Sequence, residues 1–243
     1  KGGYKTVLSN GYYIDLMLGV ENHYTVDPMP KNVTLTNEEK ARILGGEATM
    51  WTELVTPGTI DSRVWPRTAA IAERFWSNEN ITDINSLRKR LNTVSFRLEE
   101  LGLTHLKSKE GLLRNISNNQ ENEALLDMSN ICEPIKQYSR NKGGTEYQMY
   151  SPLTLFADVC TPDASDAIGF DGAVTNYLNN KTNENQIIVT NYLNKWIKMH
   201  TDLTILSNNA PLVQPLLPLS KSIKDISEQL LLKIDKKQNI DVS

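Results

Sequence analysis

A strand, a short helix and a second strand follow one another between residues 6 and 51, and this order constrains the fold more than any other feature. β-Branched and aromatic residues make "TVLSNGYYIDL" a predicted buried strand that runs into a loop. In "TNEEKARILGG", Thr36 is a candidate N-cap with Glu39 three residues later, and Gly45 and Gly46 close the helix. "GEATMW" follows as a second strand. The order predicts a β/α unit with two parallel strands.

Each predicted strand ends with an aromatic residue and a carboxylate two positions later, Tyr13 with Asp15 and Trp51 with Glu53. In an extended strand, residues i and i+2 point to the same face, so each segment offers one ring and one acid to a single surface. Sugar-binding sites often contain an aromatic ring beside an acid, because the ring covers apolar C–H faces of the sugar while the acid binds its hydroxyl groups. Taken singly, each residue is better explained by packing or by a solvated charge.

Two further helices complete the first region. Pro66 is predicted at the first position of the helix "PRTAAIAERFW", whose small residues allow a close approach to a sheet. The next helix has Asp83 as its N-cap and ends at Gly102. Apolar residues recur along it at alternating steps of three and four, which predicts a stripe that faces the core. These residues are Ile84, Leu87, Leu91, Val94, Leu98 and Leu101.

Helix signals dominate from about Asn118 onward. "NEALLDMSNICEPIKQYSR" is predicted to be helical as far as the region of Pro134, and "PDAS" is predicted to start another helix. The prolines of "APLVQPLLP" end a longer helix, and "KSIKDISEQLLLKI" makes a last short one. The sequence thus predicts two domains, residues 1–110 with strands and helices and residues 118–243 as a helical bundle. The longer helix is predicted to bury one face, formed by Ile187, Ile188, Tyr192, Trp196, Met199 and Leu203.

Composition excludes several function classes. A net charge of -3 gives no basic field for nucleic acid, and no apolar run reaches the length that spans a membrane. His23, His105 and His200 lack the spacing of metal ligands, so neither a metal nor another cofactor is expected. Cys132 and Cys160 could form one disulfide, but their spacing matches no zinc or redox pattern.

Three segments in a fixed order carry a resemblance to a known family. "GYYID", "GGEATMW" and "RVWPRTAAIAER" resemble the C-terminal part of the family 20 glycoside hydrolases, the β-N-acetylhexosaminidases. The resemblance runs from about Leu8 to Leu103. It implies strands seven and eight of a (β/α)8 TIM barrel, followed by an all-α helical region. Barrel active sites lie at the carboxyl ends of the strands, and there the resemblance places Tyr13, Asp15, Trp51 and Glu53.

The resemblance also implies a role for each of these residues. Tyr13 would orient the acetamido oxygen of the substrate, Asp15 and Glu53 would bind sugar hydroxyls, and Trp51 would pack against the sugar ring. Catalysis in the family is substrate-assisted and retaining, because the acetamido oxygen attacks its own anomeric carbon. The family's general acid is a Glu in a His-x-Gly-Gly-Asp-Glu motif, with the neighbouring Asp orienting the acetamido group. This chain lacks that motif.

We therefore expect part of an enzyme that releases terminal N-acetylglucosamine or N-acetylgalactosamine from a glycan. The chain would supply sugar-binding residues and would be inactive without an upstream segment of the barrel, in the same or a second chain. Glu47 is expected to be a structural hydrogen-bond or ion-pair partner, for example of Arg63 or Arg67, and not a catalyst. The segment from Arg63 to Arg67 is expected to hold the corner between strand and helix. The resemblance favours a periplasmic, extracellular or lysosome-like compartment. The alternative is a non-catalytic carbohydrate-binding or subunit-interaction module.

Overall fold

The structure is a computed structural model, and its described residues form two compact units. Unit one contains the described residues of Lys1–Lys109 and Ile135–Tyr147, and unit two contains those of Glu110–Pro134 and Gln148–Ser243. The described part of unit two is mostly helical, whereas that of unit one combines helices and two short strands with much irregular chain. No helix in the described part of the chain combines the length and apolar composition needed to cross a membrane. The described residues are 2–29, 32–52, 54–141 and 154–238.

The described part of unit one contains two short strands, β1 (Thr6–Leu8) and β2 (Ile43–Gly46), and their predicted parallel direction is confirmed. The predicted position of the second strand is wrong, because Gly46 is the only residue of "GEATMW" that belongs to β2. The register of the two strands pairs Thr6 with Ile43, Val7 with Gly45 and Leu8 with Gly46. An isolated parallel bridge then joins Tyr13 to Thr49, beyond the ends of both strands. The chain segments that follow β1 and β2 therefore continue side by side.

In the described residues between the strands, the 3-10 helix Ile14–Leu16 precedes two short α-helices, α1 (Val20–Tyr24) and α2 (Asn37–Lys40). The predicted capping box at the start of α2 is confirmed. The predicted end of this helix at the glycine pair is wrong, because those glycines are the last two residues of β2. The Thr6 amide donates to the Arg42 carbonyl at 2.9 Å, so pairing with β1 draws this part of the chain into a strand.

Three more α-helices follow in the described part of unit one, α3 (Ile60–Val64), α4 (Arg67–Trp76) and α5 (Ile84–Glu100). Pro66 is the N-cap of α4 and lies one position before the predicted place. The predicted cap of α5 is confirmed, since the Asp83 carboxylate accepts from the amides two and three residues later. Leu101 is 82% exposed, because the helix has ended before the predicted stripe does. The core of the unit forms around Val20, Tyr24, Ala70, Leu87 and Leu91, and around Tyr12, Ile14 and Ile71.

The longest described helix of unit two is α10 (Asn183–Leu206), and it packs against α7 (Glu123–Ile131), α9 (Ser165–Asn179) and α11 (Leu217–Gln238). Lys195 of α10 pairs with Asp127 of α7 and Asp166 of α9, each at 2.9 Å. The predicted apolar face of α10 is partly wrong, because Ile187 and Ile188 are half-exposed. The buried face consists of Val189, Leu193, Trp196, Met199 and Leu203. Two further α-helices are α6 (Lys107–Ile116), which belongs to unit two from Glu110 onward, and α8 (Thr154–Val159).

The end of the chain is more helical than predicted. α11 has 22 residues and is not a short helix. The proline-rich segment before it forms the 3-10 helix Pro211–Leu216. Pro218 is tolerated in the first turn of α11, because amides there have no partner within the helix.

Candidate functional site

The segments that follow β1 and β2 are held together at the carboxyl ends of the strands. The Ile14 amide donates to the Thr49 carbonyl at 2.9 Å, and the Thr49 amide donates to the Tyr12 carbonyl at 3.0 Å. Tyr13 lies between these two bonds and is half-buried. This is the end of a parallel sheet at which α/β proteins bind ligands. The structure thus brings Tyr13 next to the segment that carries Trp51.

Asp15 does not continue the strand. The 3-10 helix Ile14–Leu16 begins directly after Tyr13, and Met17 then adopts a left-handed backbone with φ 57°. Contrary to the prediction, Tyr13 and Asp15 therefore do not share one face of an extended strand, because the backbone coils between them. Asp15 is half-buried in this turn. Its predicted role toward a sugar hydroxyl stays a prediction.

Trp51 lies outside regular secondary structure, two residues after the bridge at Thr49. Its side chain is 59% exposed, so the ring is not part of a core cluster and can be reached by a ligand. Glu53, the other predicted sugar-binding residue of this segment, lies outside the described residues. Its role also stays a prediction.

Tyr12 fixes the backbone next to Tyr13. Its ring is fully buried, packs edge-on against Phe75 with the centroids 4.8 Å apart, and sits against Gly46. Its phenol donates to the Val26 carbonyl at 3.0 Å. Burial and, secondarily, the charge of Asp27 raise the pKa of Tyr12 to about 12. The phenol therefore stays protonated and keeps this hydrogen bond at any physiological pH.

Glu47 accepts a hydrogen bond from the Ser9 hydroxyl rather than from the predicted arginine. Its side chain is exposed, whereas Arg63 and Arg67 are both 2% exposed and lie inside the unit. Arg67 Nη1 donates to the Leu18 carbonyl at 3.0 Å, and Nη2 donates to the Arg63 carbonyl. These bonds support the predicted role of the two arginines at the corner.

A polar network that the sequence did not reveal ties α1 to α4 and α5. The Tyr24 phenol donates to Glu73 Oε1 at 2.7 Å, and Arg90 donates to both oxygens of the same carboxylate. The hydrogen bond from Arg90, aided by that from Tyr24, lowers the pKa of Glu73 below its usual value, although burial acts in the opposite direction. The three residues lie on different helices, so no spacing in the sequence could have joined them.

The three histidines, for which the sequence predicts no metal site, each form a hydrogen bond within the protein. His23 is hydrogen-bonded to a backbone carbonyl, and His105 and His200 are hydrogen-bonded to serine hydroxyls. Among the described residues, no group of three His, Cys, Asp or Glu side chains could hold a metal ion. Cys132 and Cys160 are not joined by a disulfide, and burial raises the pKa of the Cys132 thiol to about 11.

Comparison with known proteins identifies a family model and curated relatives. Residues 2–79 match the glycosyl hydrolase family 20 catalytic domain. The β-hexosaminidase subunit beta of Sus scrofa is 34% identical over 106 residues, which are 42% of this chain and 20% of that protein. The β-hexosaminidase subunit beta of Entamoeba histolytica is 38% identical over 109 residues, which are 38% of this chain and 19% of that protein. The chain thus spans about a fifth of the length of these curated relatives.

A solved structure extends the likeness along the chain. The X-ray structure of the Flavobacterium johnsoniae chitobiase matches 97% of this chain with a TM-score of 0.93 and 66% sequence identity. The match covers 36% of that protein. The predicted resemblance to the family 20 glycoside hydrolases is confirmed, and it continues past Leu103, where the sequence argument ended.

Proposed function

We propose that this chain, which is related to the family 20 glycoside hydrolases, is the C-terminal part of a β-N-acetylhexosaminidase and supplies one wall of its sugar pocket. The observation that carries the proposal is the bridge between Tyr13 and Thr49 at the carboxyl ends of two parallel strands, with the exposed ring of Trp51 two residues later. In this proposal β1 and β2 are barrel strands seven and eight, and unit two is the helical region that follows the barrel.

Each predicted site residue has a physical task in this proposal. Tyr13 donates a hydrogen bond to the acetamido oxygen and holds it close to the anomeric carbon, an orientation effect that lowers the barrier. The ring of Trp51 covers the apolar face of the sugar. Asp15 and Glu53 accept hydrogen bonds from its hydroxyl groups. The substrate is a glycan with terminal N-acetylglucosamine or N-acetylgalactosamine, which is released with retention.

The general acid would come from a companion segment that carries barrel strands one to six. Exposure of the strand pair supports this part of the proposal, because parallel strands are normally buried on both faces. Val7 is 48% exposed and Leu44 is 61% exposed. β2 and the end of α4 also line a cavity of about 500 Å³. Trp76, at its edge, is 91% exposed.

The test compares the 27.4 kDa chain alone with a chimera, using a chromogenic β-N-acetylglucosaminide and intact-mass analysis of the same sample. In the chimera, this chain replaces the matching segment of the Flavobacterium johnsoniae chitobiase. We expect no turnover by the chain alone and turnover by the chimera. Turnover by the chain alone would show that it already contains the acid. A folded but inactive chimera, together with sugar binding by the chain alone, would favour the non-catalytic binding module.

Tyr13→Phe in the chimera tests the assigned orienting role. Loss of one donor to a developing charge lowers kcat by about 10²- to 10³-fold in other enzymes, and we expect a loss of this order. Tyr4→Phe is the matched control, because Tyr4 is 82% exposed and precedes β1. Equal activity of the two variants would show that Tyr13 does not orient the substrate.

A further inference from the structure

Arg67 is a charged residue that the fold buries almost completely. It is the first residue of α4 and is 2% exposed. A buried guanidinium is tolerated only when its N–H groups find acceptors, and its planar fork can hold two acceptors in a fixed geometry. Two of the acceptors of Arg67 are the backbone carbonyls of Leu18 and Arg63. The two carbonyls belong to different segments of the candidate site.

Leu18 belongs to the segment that follows β1. It lies three residues after Asp15 and directly after Met17, whose left-handed backbone is unusual for a residue with a long side chain. Such a conformation persists only when the surrounding structure holds it. The buried side chains of Ile14 and Met17 hold the turn from one side, and the bond from Arg67 holds the carbonyl that follows it.

Arg63 belongs to the segment that follows β2. This segment passes through Thr49 and Trp51 and ends in α3, where Arg63 occupies the last turn. The final carbonyls of a helix have no amide partner within that helix, so a side chain can supply the donor. Arg67 does so for Arg63, and the Thr68 hydroxyl does so for the Val64 carbonyl at 2.8 Å.

We infer that Arg67 is a positioning residue that locks the Tyr13–Asp15 turn to the segment carrying Trp51. The guanidinium holds one carbonyl of each segment and so sets the separation between the phenol of Tyr13 and the ring of Trp51. Within the described residues, the Thr68 side chain bonds to α3 and does not join the two segments. The inference deepens the proposed function and rests on it, because it concerns how the sugar-binding residues are held.

Arg67→Lys tests the inference, with Thr68→Val as the matched control. Lysine keeps the charge but lacks the planar fork. Amide hydrogen exchange of the chain reports the turn through the amides of Ile14 and Met17, which donate to Thr49 and Ile14. We expect Arg67→Lys to accelerate exchange at both amides by about tenfold and Thr68→Val to leave them unchanged. Amides within α5 should exchange at the wild-type rate in both variants.

Two results would overturn the inference. One is unchanged exchange at Ile14 and Met17 in a folded Arg67→Lys variant. The other is acceleration of equal size in α5, which would mean a general loss of stability. If Arg67→Lys does not fold, the bond is tested in the wild-type chain by NMR. We then expect a through-hydrogen-bond coupling between Arg67 Nη1 and the Leu18 carbonyl carbon. Its absence would equally overturn the inference.

Kinetics of the chimera separate this inference from the proposed function. In an active chimera, Arg67→Lys should lower kcat by about tenfold, whereas Thr68→Val should stay close to wild type. Equal kcat for Arg67→Lys and wild type would overturn the inference that Arg67 positions the sugar-binding residues. An inactive wild-type chimera would instead overturn the proposed function, and the exchange experiment would still decide whether Arg67 holds the two segments together.

Discussion

Gly46→Ala should destabilise unit one, because a Cβ atom at the last residue of β2 has no room. It would lie 2.5 Å from Cζ of Phe75 and 2.9 Å from Cε2 of Tyr12, well inside the ordinary contact distance of about 3.5 to 4.0 Å. Tyr12 cannot easily move aside, since it is fully buried and its phenol is bonded to Val26. Overpacking of this kind costs about 1 to 3 kcal/mol. The lower entropy of the unfolded alanine chain offsets about 0.4 to 1 kcal/mol of this cost.

The middle values of these two ranges leave a net loss of about 1.3 kcal/mol, which should lower the urea midpoint of unit one by roughly 1 M, given the slopes typical of small domains. Tryptophan fluorescence is a suitable probe, because three of the four tryptophans lie in this unit. Gly58→Ala is the control, since the atom nearest to its added Cβ is Thr56 Oγ1 at 3.9 Å. An unshifted midpoint for Gly46→Ala, or an equal shift for Gly58→Ala, would refute the packing argument.

Two further predictions concern titration. The Arg90 bond lowers the pKa of Glu73, so this carboxylate stabilises the fold above its usual pKa of 4.5, and the contribution disappears as the pH falls through the lowered value. The urea midpoints of wild type and Glu73→Gln should therefore differ at neutral pH and converge in acid; a constant difference would contradict this. Burial raises the pKa of Cys132 to about 11, so iodoacetamide at pH 8 should modify it far more slowly in the folded than in the urea-unfolded chain. Equal rates would show that the thiol is accessible and ionised.

Local signals predicted the helix starts well. Asp83 caps α5 and Thr36 caps α2, because each cap is decided by amides two or three residues away. The extent of α2 could not be predicted in this way. The backbone pairing between Thr6 and Arg42 competes with the helix, and a local pattern contains no information about a partner so distant in sequence.

For the candidate site, the sequence could predict which residues follow the strands but not how their side chains are oriented. The spacing of Tyr13 and Asp15 suits an extended strand, but the structure coils the chain at Ile14. The Ile14 amide bonds to Thr49 and the Leu18 carbonyl to Arg67, and both partners come from later parts of the chain. A period of two in the sequence therefore could not show which face each side chain occupies.

The 3-10 helix Gln137–Asn141 belongs to unit one and lies against the 3-10 helix Ile14–Leu16. Unit one is thus discontinuous along the chain, since Glu110–Pro134 belongs to unit two. On a ribosome that adds about 5 to 20 residues per second, the turn with Asp15 would wait on the order of ten seconds for this neighbour to emerge. A gene shortened after Lys109 would encode both strand-end segments but not the helix Gln137–Asn141, which contacts the segment with Asp15.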